Sequence, residues 1–409
     1  MHENPHATAG KRAIRDSLLV PAPAIMTYRF VLPLLLTALC EQIVTSLMRI
    51  TTTYRAVELG LSVVWLGIIT AFFAVLPMVT AVKIGRFIDR GNDARTAWIG
   101  GGLLVIACAG FALGQSLVAL LLCTALLGIA HLMLVISQQV LCARHGGQEG
   151  VDRMVGNYMV ANAVGQGIGP VIVGWAGGSA SIPPTQLLFT IGLAFATLSL
   201  AASFFLRPSP PRPPKQGGDK LVPVTEIARI PGLKLIFFVS VVTVAAQDLI
   251  VVYLPALGTE RMISVDIIGM LLAARAIASM ASRFLYARLS VLLGRWRLMA
   301  ISTLASAVFY AAIALPLPIP LMVLMVAAAG FALSNAITVS IATLLAITGD
   351  ETRGTANSLR MMGNRMGQFV IPFLAGLIAE ASGVAGIFII IGASLGISGA
   401  VAQIQRRTQ

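Results

Sequence analysis

Twelve apolar runs, each long enough to cross a lipid bilayer as a helix, divide the sequence. About 20 apolar residues suffice for one crossing, and a helix satisfies its own backbone hydrogen bonds where lipid offers no partner. Charged residues make up 11% of the chain, against roughly 25% in soluble proteins. The pattern predicts an all-α membrane protein with spans near 28–54, 62–83, 97–115, 117–142, 154–177, 184–206, 234–257, 265–287, 298–316, 319–347, 355–379 and 384–404.

The charges between these runs indicate how the chain is oriented in the membrane. The net charge is +13, and most basic residues lie in segments that face one side if the N-terminus is cytoplasmic. The segments on the other side hold only Arg55 and Arg261. Because cytoplasmic loops carry the excess of Lys and Arg, we predict a multi-pass protein of a bacterial-type inner membrane with both termini cytoplasmic. No basic domain is separate from the membrane, so nucleic acid is not expected as a partner.

A repeat with an offset of 202 residues runs through the chain. The segment GNYMVANAVGQGIGP at 156–170 aligns with SLRMMGNRMGQFVIP at 358–372, and the same offset pairs Gly67 with Gly269. Six-span repeats around a cavity at the membrane midplane are a transporter architecture. The Pro-rich, charged segment RPSPPRPPKQGGDK marks the boundary between the repeats. We therefore predict a cytoplasmic tail (1–26), two six-helix bundles (27–206 and 234–405), a cytoplasmic linker (207–233) and a second tail (406–409).

The loop after the second span, GRFIDRGNDAR, resembles the signature Gly-x-Leu-x-Asp-Arg-x-Gly-Arg-Arg of the major facilitator superfamily. Gly91 comes one place early, and Asp93 and Ala94 occupy positions where basic residues are usual. The loop ARLSVLLGRWR is a worn second copy. The resemblance implies the major facilitator fold, with twelve transmembrane helices in two pseudo-symmetric six-helix bundles. It also implies a conformational latch formed by Gly85, Asp89, Arg90, Arg95, Arg288, Gly294 and Arg295.

The fifth span resembles the glycine motif of the antiporter branch of that superfamily. Small residues let helices approach closely in lipid, and a proline bends a helix by removing a backbone hydrogen bond. The resemblance implies a tight, pliable contact between the halves that seals the inner side of the cavity. The alternative is generic close packing. The motif residues are Gly156, Gly165, Gly169, Pro170 and Gly174, with Val173 replacing one glycine.

Polar residues recur at every fourth position in the two repeated helices, so they share one helix face. Polar side chains at membrane depth are expensive and usually line a pathway. We expect these residues to line the cavity, with helix-to-helix hydrogen bonding as the alternative. The candidates are Tyr158, Asn162, Gln166, Arg360, Asn364 and Gln368, with Arg365 beside them and with Gln138 and Asn335 in other spans.

Ionisable side chains inside the predicted spans are the remaining candidates for a site. Glu41 is the first candidate for a proton carrier, since a carboxyl group at mid-depth can titrate, and Asp248 and His131 follow. Two helical turns separate Glu41 from Arg49, so we expect no direct pair between them. Arg275 and Arg365 are expected either to bind a substrate anion or to form structural ion pairs. The charged residues inside the spans are four arginines and two acids, and this positive excess favours an anionic or zwitterionic substrate. The six residues are Glu41, Arg49, Asp248, Arg275, Arg360 and Arg365.

Other motifs argue against an enzyme. The Gly-x-Ser-x-Gly match at 392–396 lies inside an apolar span without a strand-to-helix turn, and a Gly-x-x-x-x-Gly-Lys nucleotide loop is not found. The four cysteines have no metal-ligand spacing. We predict that the protein exports a small organic compound and that a proton gradient drives the export. The expected partners are the lipid bilayer and the substrate, and we expect no cofactor and no metal. The protein is expected to be monomeric. Proton-coupled uptake of an organic acid is the alternative, and a membrane sensor is the alternative from another class.

Overall fold

The structure is a computed structural model that describes residues 28–145, 147–208, 230–348 and 350–407. The predicted tail 1–26, residues 209–229 of the predicted linker and the last two residues lie outside the described residues, so those predictions stay open. Within the described ranges all regular secondary structure is helical. This agrees with the predicted all-α class.

Ten helices precede the last helical segment, and each corresponds to one predicted span. The turn between the second and third contains one π-helical turn at Ile88–Asn92. The helices are α1 Tyr28–Glu58, α2 Val63–Phe87, α3 Asp93–Leu113, α4 Leu117–His145, α5 Gly147–Gly177, α6 Thr185–Ser203, α7 Leu233–Glu260, α8 Val265–Leu293, α9 Arg295–Ile313 and α10 Ile319–Ile347.

The last helical segment, Asp350–Arg407, holds two membrane crossings. Its backbone breaks at Gly383, where φ is 72° and ψ is 170°, a conformation that glycine adopts readily. Ile378 before the break and Ile387 after it line the same apolar cavity, so the chain folds back on itself. We name the two parts α11 (350–382) and α12 (384–407). By length and composition alone, eleven described helices can span a membrane, and the division at Gly383 gives the predicted twelve.

The helices form two halves, α1–α6 and α7–α12, with equivalent contacts inside each. Gly128 of α4 packs against Phe73 of α2 so closely that a Cβ atom there would lie 1.9 Å from the Phe73 carbonyl oxygen. At the equivalent place in the second half, a Cβ atom at Gly330 would lie 2.6 Å from the Arg275 carbonyl oxygen. Glycine at these two positions lets neighbouring helices approach to backbone contact.

The halves meet at one end of the molecule through two symmetry-related crossings. We call the end where α1 begins and α6 ends the linker end, and the opposite end the distal end. Near the distal end, a Cβ atom at Gly67 would lie 2.3 Å from the Pro372 carbonyl oxygen, and one at Gly269 would lie 2.6 Å from that of Pro170. The Val265 amide also donates to the Ala180 carbonyl at 2.9 Å. These contacts close the distal end.

The glycine motif of α5 therefore lies on a different side from the one predicted. In the predicted orientation the linker end is the inner side, yet Gly174 contacts the second half near the distal end, beside Gly269. Gly165 and Gly169 pack against α1 of their own half, close to the Leu39 carbonyl and Ser46. Two and a half helical turns separate Gly165 from Gly174, so one motif serves two different interfaces.

Candidate functional site

A cavity of about 270 Å³ lies between the two halves. Its walls come from α1, α2, α4 and α5 of the first half and from α7, α8 and α11 of the second. Four arginines and one aspartate face it, so its lining carries a clear positive excess. These charged lining residues are Arg49, Asp248, Arg275, Arg360 and Arg365.

An ion pair joins the halves across this cavity. Arg49 on α1 donates to one oxygen of Asp248 on α7 at 2.7 Å, and the Arg49 guanidinium lies 5.0 Å from the centre of the Phe73 ring. The other Asp248 oxygen accepts a hydrogen bond from Gln368 at 2.6 Å. Gln368 in turn accepts one from Arg365 at 3.0 Å. The polar chain therefore crosses from α1 through α7 to α11, and Asp248 has both oxygens engaged.

Arg275 differs from the other cavity arginines because its guanidinium forms neither an ion pair nor a hydrogen bond with a described residue, whereas Arg49, Arg360 and Arg365 each donate to a side chain. Its side chain lines the cavity and the residue is 7% exposed, but it forms no ion pair with any residue that the structure describes. The Arg275 Nε atom is buried and has no hydrogen-bond partner among the residues that the structure describes. Gly330 makes room for this arginine, since a Cβ atom there would lie 2.7 Å from the Arg275 Cγ. The site thus contains a buried, uncompensated cation.

Arg360 and Asn364 occupy the α11 wall on the linker side of Gln368. Arg360 donates to the Asn357 side chain at 3.1 and 3.2 Å and to the Ser240 hydroxyl at 3.2 Å. That hydroxyl donates to Asn364 at 3.0 Å. Arg360 is therefore held by neutral partners, and its positive charge remains available to the cavity.

Glu41 and His131 form the second ionisable unit of the site. The His131 Nδ1 atom lies 2.5 Å from a Glu41 carboxylate oxygen, and Thr45 donates to the same oxygen at 3.0 Å. The Glu41 side chain is fully buried, whereas the His131 side chain is 18% exposed and lines the cavity. Glu41 is therefore not an isolated acid, and it reaches the cavity through His131.

Phe73 connects the two ionisable units. Its ring centre is 5.6 Å from that of His131, and Arg49 lies over the same ring. Phe73 was not among the predicted site residues, although the 202-residue offset pairs it with Arg275. The cavity residues Thr45 and Gln247, which the same offset pairs, were not predicted as site residues either. The repeat was the signal that could have identified all three.

The expected polar stripe divides between the cavity and the interior of the first half. Gln166 lines the cavity and donates to Gln42 at 3.1 Å. Tyr158, Asn162 and Gln138 are buried and absent from the described cavity lining. The prediction that these three line the cavity was therefore wrong, because they face neighbouring helices of their own half.

Asn335 is a further departure from the expected cavity set. It is buried in α10, its amide nitrogen donates to the Phe331 carbonyl at 3.3 Å, and it is absent from the described cavity lining. The polar group is satisfied in part by its own helix. The prediction that Asn335 lines the cavity was therefore wrong, because its side chain is buried among the helices of its own half.

The predicted latch residues lie at the linker end. Arg90, Arg95, Arg288 and Arg295 are exposed. Gly294 directly precedes α9 and has a φ of 74°, and Gly85 has open space where its Cβ would lie. Arg95 donates to the Asn92 side chain at 3.3 Å. The side chain of Asp89 lies outside the described residues, so the latch stays a prediction. Asp93, a departure from the signature, is buried and accepts from the Ala94 amide at 2.8 Å.

Comparison with known proteins identifies the family. A family model described as Major Facilitator Superfamily matches residues 34–244 and 236–407. The chain belongs to this superfamily. Comparison with curated protein sequences gives no match. In the superfamily fold, a cavity between two six-helix halves is the place where substrates bind, and here that place carries the arginines.

Solved structures of superfamily-like transporters share the fold. A mutant of the nucleoside transporter NupG has a TM-score of 0.80 at 13% identity, over 92% of this chain and 99% of that one. A bacterial homologue of the lysosomal transporter Spinster, inward-facing and occupied, has 0.78 at 15%, over 93% and 96%. A D-xylose-proton symporter has 0.74 at 14%, over 92% and 97%. The chain is thus a secondary transporter of the superfamily and not an enzyme.

Proposed function

We propose that this chain transports a small organic carboxylate, with a proton gradient as the driving force. The observation that carries the proposal is Arg275, a buried cation without a counter-ion that faces the cavity. A planar guanidinium binds a carboxylate through two parallel hydrogen bonds. In a site that excludes water, such a pair is stronger than on a surface. The cavity lies near the lower end of ligand pockets, roughly 300–1,000 Å³, so the substrate is small.

The Glu41–His131 pair is the proposed proton site. When the pair takes up a proton, it becomes more positive by one charge, and His131 presents that charge to the cavity. A more positive cavity binds an anion more tightly, and the coupling is reciprocal, so a bound anion also favours protonation. Binding that is mutually favourable supports movement of proton and anion in the same direction. The electrostatics therefore favour symport of the organic acid.

Proton-driven export is the second candidate. It rests on the resemblance of α5 to the antiporter glycine motif, whose members Gly165, Gly169 and Gly174 all make close backbone contacts. Antiport requires proton and substrate to compete for the protein. A substrate that displaces Asp248 from Arg49 while a proton leaves the Glu41–His131 pair would meet this requirement.

The proposal also covers the membrane, the orientation of the chain in it and the oligomeric state. The charge asymmetry supports a bacterial-type inner membrane with both termini cytoplasmic, which makes the linker end the cytoplasmic end. The proposed transport unit is a monomer, because both the anion site and the proton site lie within one chain.

The first experiment is a binding screen with the purified protein in detergent. Small mono- and dicarboxylates are tested for the ability to raise the unfolding temperature, in the parent protein and in Arg275→Lys. Lysine keeps the charge but cannot form the two-point contact. Loss of a hydrogen bond to a charged group costs about 1.5–3 kcal/mol, so affinity should fall about ten- to hundred-fold.

Arg288→Lys is the matched control, because Arg288 lies on the same helix but is exposed at the linker end. It should bind like the parent. If Arg275→Lys also binds like the parent, Arg275 is not the anion site. Proteoliposomes with an imposed pH gradient then decide the direction: symport moves the carboxylate with the proton, and antiport moves it against the proton.

A further inference from the structure

Buried polar atoms without partners occur on α1, α4 and α5, at residues outside the described cavity lining. The second oxygen of Glu41, the Tyr158 hydroxyl, the Asn162 amide oxygen and both polar atoms of the Gln138 amide are buried with no hydrogen-bond partner among the described residues. Glu41, Gln138 and Tyr158 are 0% exposed and Asn162 is 8% exposed. We call these four residues the N-half polar cluster.

The cluster extends from Glu41 towards the linker end. Gln138 lies two turns beyond His131 along α4, and Tyr158 lies one turn before Asn162 on α5. The Tyr158 hydroxyl is within electrostatic reach of Glu41. Asn162 and the exposed Gln139 side chain both neighbour that hydroxyl, but neither has hydrogen-bond geometry to it. Tyr158 therefore lies between an exposed polar group and the buried acid.

Five unpartnered polar atoms in one bundle require an explanation. Leaving a buried donor or acceptor unpaired is costly, and native proteins do so rarely. Buried polar groups that find no protein partner normally hydrogen-bond to ordered water, and one such water takes two to four of them. The unpartnered hydroxyl, carboxylate and amide atoms of the cluster are groups that can hydrogen-bond to buried water.

We infer that the N-half polar cluster is the route by which protons pass between Glu41 and the linker end, through water held by Gln138, Asn162 and Tyr158. The inference rests on the proposed proton coupling and adds the path to it. One Glu41 oxygen contacts His131, which faces the cavity, so Glu41 can exchange a proton with that side. The other oxygen of Glu41 can exchange a proton with the water of the cluster.

The route separates protons from substrate. The anion enters the cavity between the halves, and the proton travels inside the first half, so the two do not compete for one passage. Among the described residues, two ionisable side chains bear on Glu41: His131 on α4 contacts it directly, and Tyr158 on α5 lies within electrostatic reach of it. Cys142 on α4 lies within electrostatic reach of Tyr158.

The test measures how fast Glu41 takes up a proton, with water alone as the probe. The parent protein in liposomes is followed by infrared difference spectroscopy after a jump to acidic pH. The Glu41 carboxyl band is assigned by its loss in Glu41→Gln. Tyr158→Phe removes only the hydroxyl, and we expect it to slow protonation roughly tenfold or more, as positioned proton-transfer groups typically contribute. Gln138→Leu should slow it as well.

Tyr253→Phe is the matched control, because the Tyr253 hydroxyl is likewise buried without a partner among described residues but lies on α7. It should leave the rate unchanged. Parental rates in both Tyr158→Phe and Gln138→Leu would overturn the route while leaving the proposed proton site intact. If no Glu41 band responds to pH in the parent, then Glu41 is not a proton site, and the route loses its destination.

Discussion

Arg49 and Asp248 lie 2.7 Å apart across the cavity although they belong to different halves of the chain. Asp248 is thus a carboxylate of the protein itself, placed where a substrate carboxylate would neutralise Arg49. Any movement that parts α1 from α7 must break this pair. If the proposed anionic substrate replaces Asp248 at Arg49, occupancy of the cavity is linked to the relative position of the halves.

Asp248→Asn should bind carboxylates more tightly than the parent. The change removes the competing charge and frees Arg49, and we expect affinity to rise roughly tenfold, about 1.4 kcal/mol. Titration calorimetry with the best carboxylate from the screen measures this. Glu380→Gln, an exposed acid on α11, is the control and should change nothing. Weaker binding by Asp248→Asn would mean that Asp248 holds the substrate and does not compete with it.

Glu41→Gln should uncouple transport from the proton gradient. Glutamine keeps the shape and hydrogen bonds but cannot take up a proton, so gradient-driven transport in proteoliposomes should vanish while substrate counterflow persists. His131→Gln should act in the same direction, since His131 carries the proton's charge to the cavity. Glu58→Gln, at the distal end of the same helix, serves as the control. Full gradient response in Glu41→Gln would transfer the role to another group.

Gly269→Ala should shift the protein towards a state open at the distal end. The new Cβ atom would lie 2.6 Å from the Pro170 carbonyl oxygen, and overpacking costs about 1–3 kcal/mol. Spin labels at Leu59→Cys and Ala381→Cys, at the distal ends of α1 and α11, should report longer distances. Gly102→Ala, where a Cβ atom meets nothing within 4 Å, should leave the distances unchanged. Unaltered distances in Gly269→Ala would show that the crossing does not set the closed state.

Asp89→Asn tests the latch that the loop signature predicts. Because this loop lies at the linker end and outside the cavity, we expect slower turnover with near-normal substrate affinity. Transport rate and thermal-shift affinity measured on the same preparation separate the two. An Arg295→Gln variant, altering the worn copy, should have a smaller effect. Loss of affinity with normal turnover would contradict the latch.

Helices and repeats could be predicted from the sequence because both are local or internally periodic properties. Length and apolarity located the spans, and one constant offset paired Gly67 with Gly269. Even the break at Gly383 fell between two predicted spans. These features depend on residues close in sequence or on comparison of the chain with itself.

Pairing between distant side chains could not be predicted in this way. Glu41 meets His131 across 90 residues, and periodicity says which residues share a helix face but not which neighbour that face meets. Tyr158 and Asn162 were correctly predicted to share one helix face, but that face packs against helices of its own half and not against the cavity. Arg275 and Arg365 were expected either to bind an anion or to form ion pairs, and periodicity could not show that Asp248 pairs with Arg49 instead.

Phe73 and Arg275 occupy the same place in the two repeats, each with its backbone pressed against a glycine of the fourth helix of its half. The repeat thus contains the same backbone arrangement twice, which we call the socket, and the two sockets hold side chains of different chemistry. One socket holds an aromatic ring that receives Arg49 and touches His131; the other presents a free cation. Under the proposed function, the position in the first half serves the proton site and the equivalent position in the second half captures the anion, so two copies of one backbone arrangement carry different tasks.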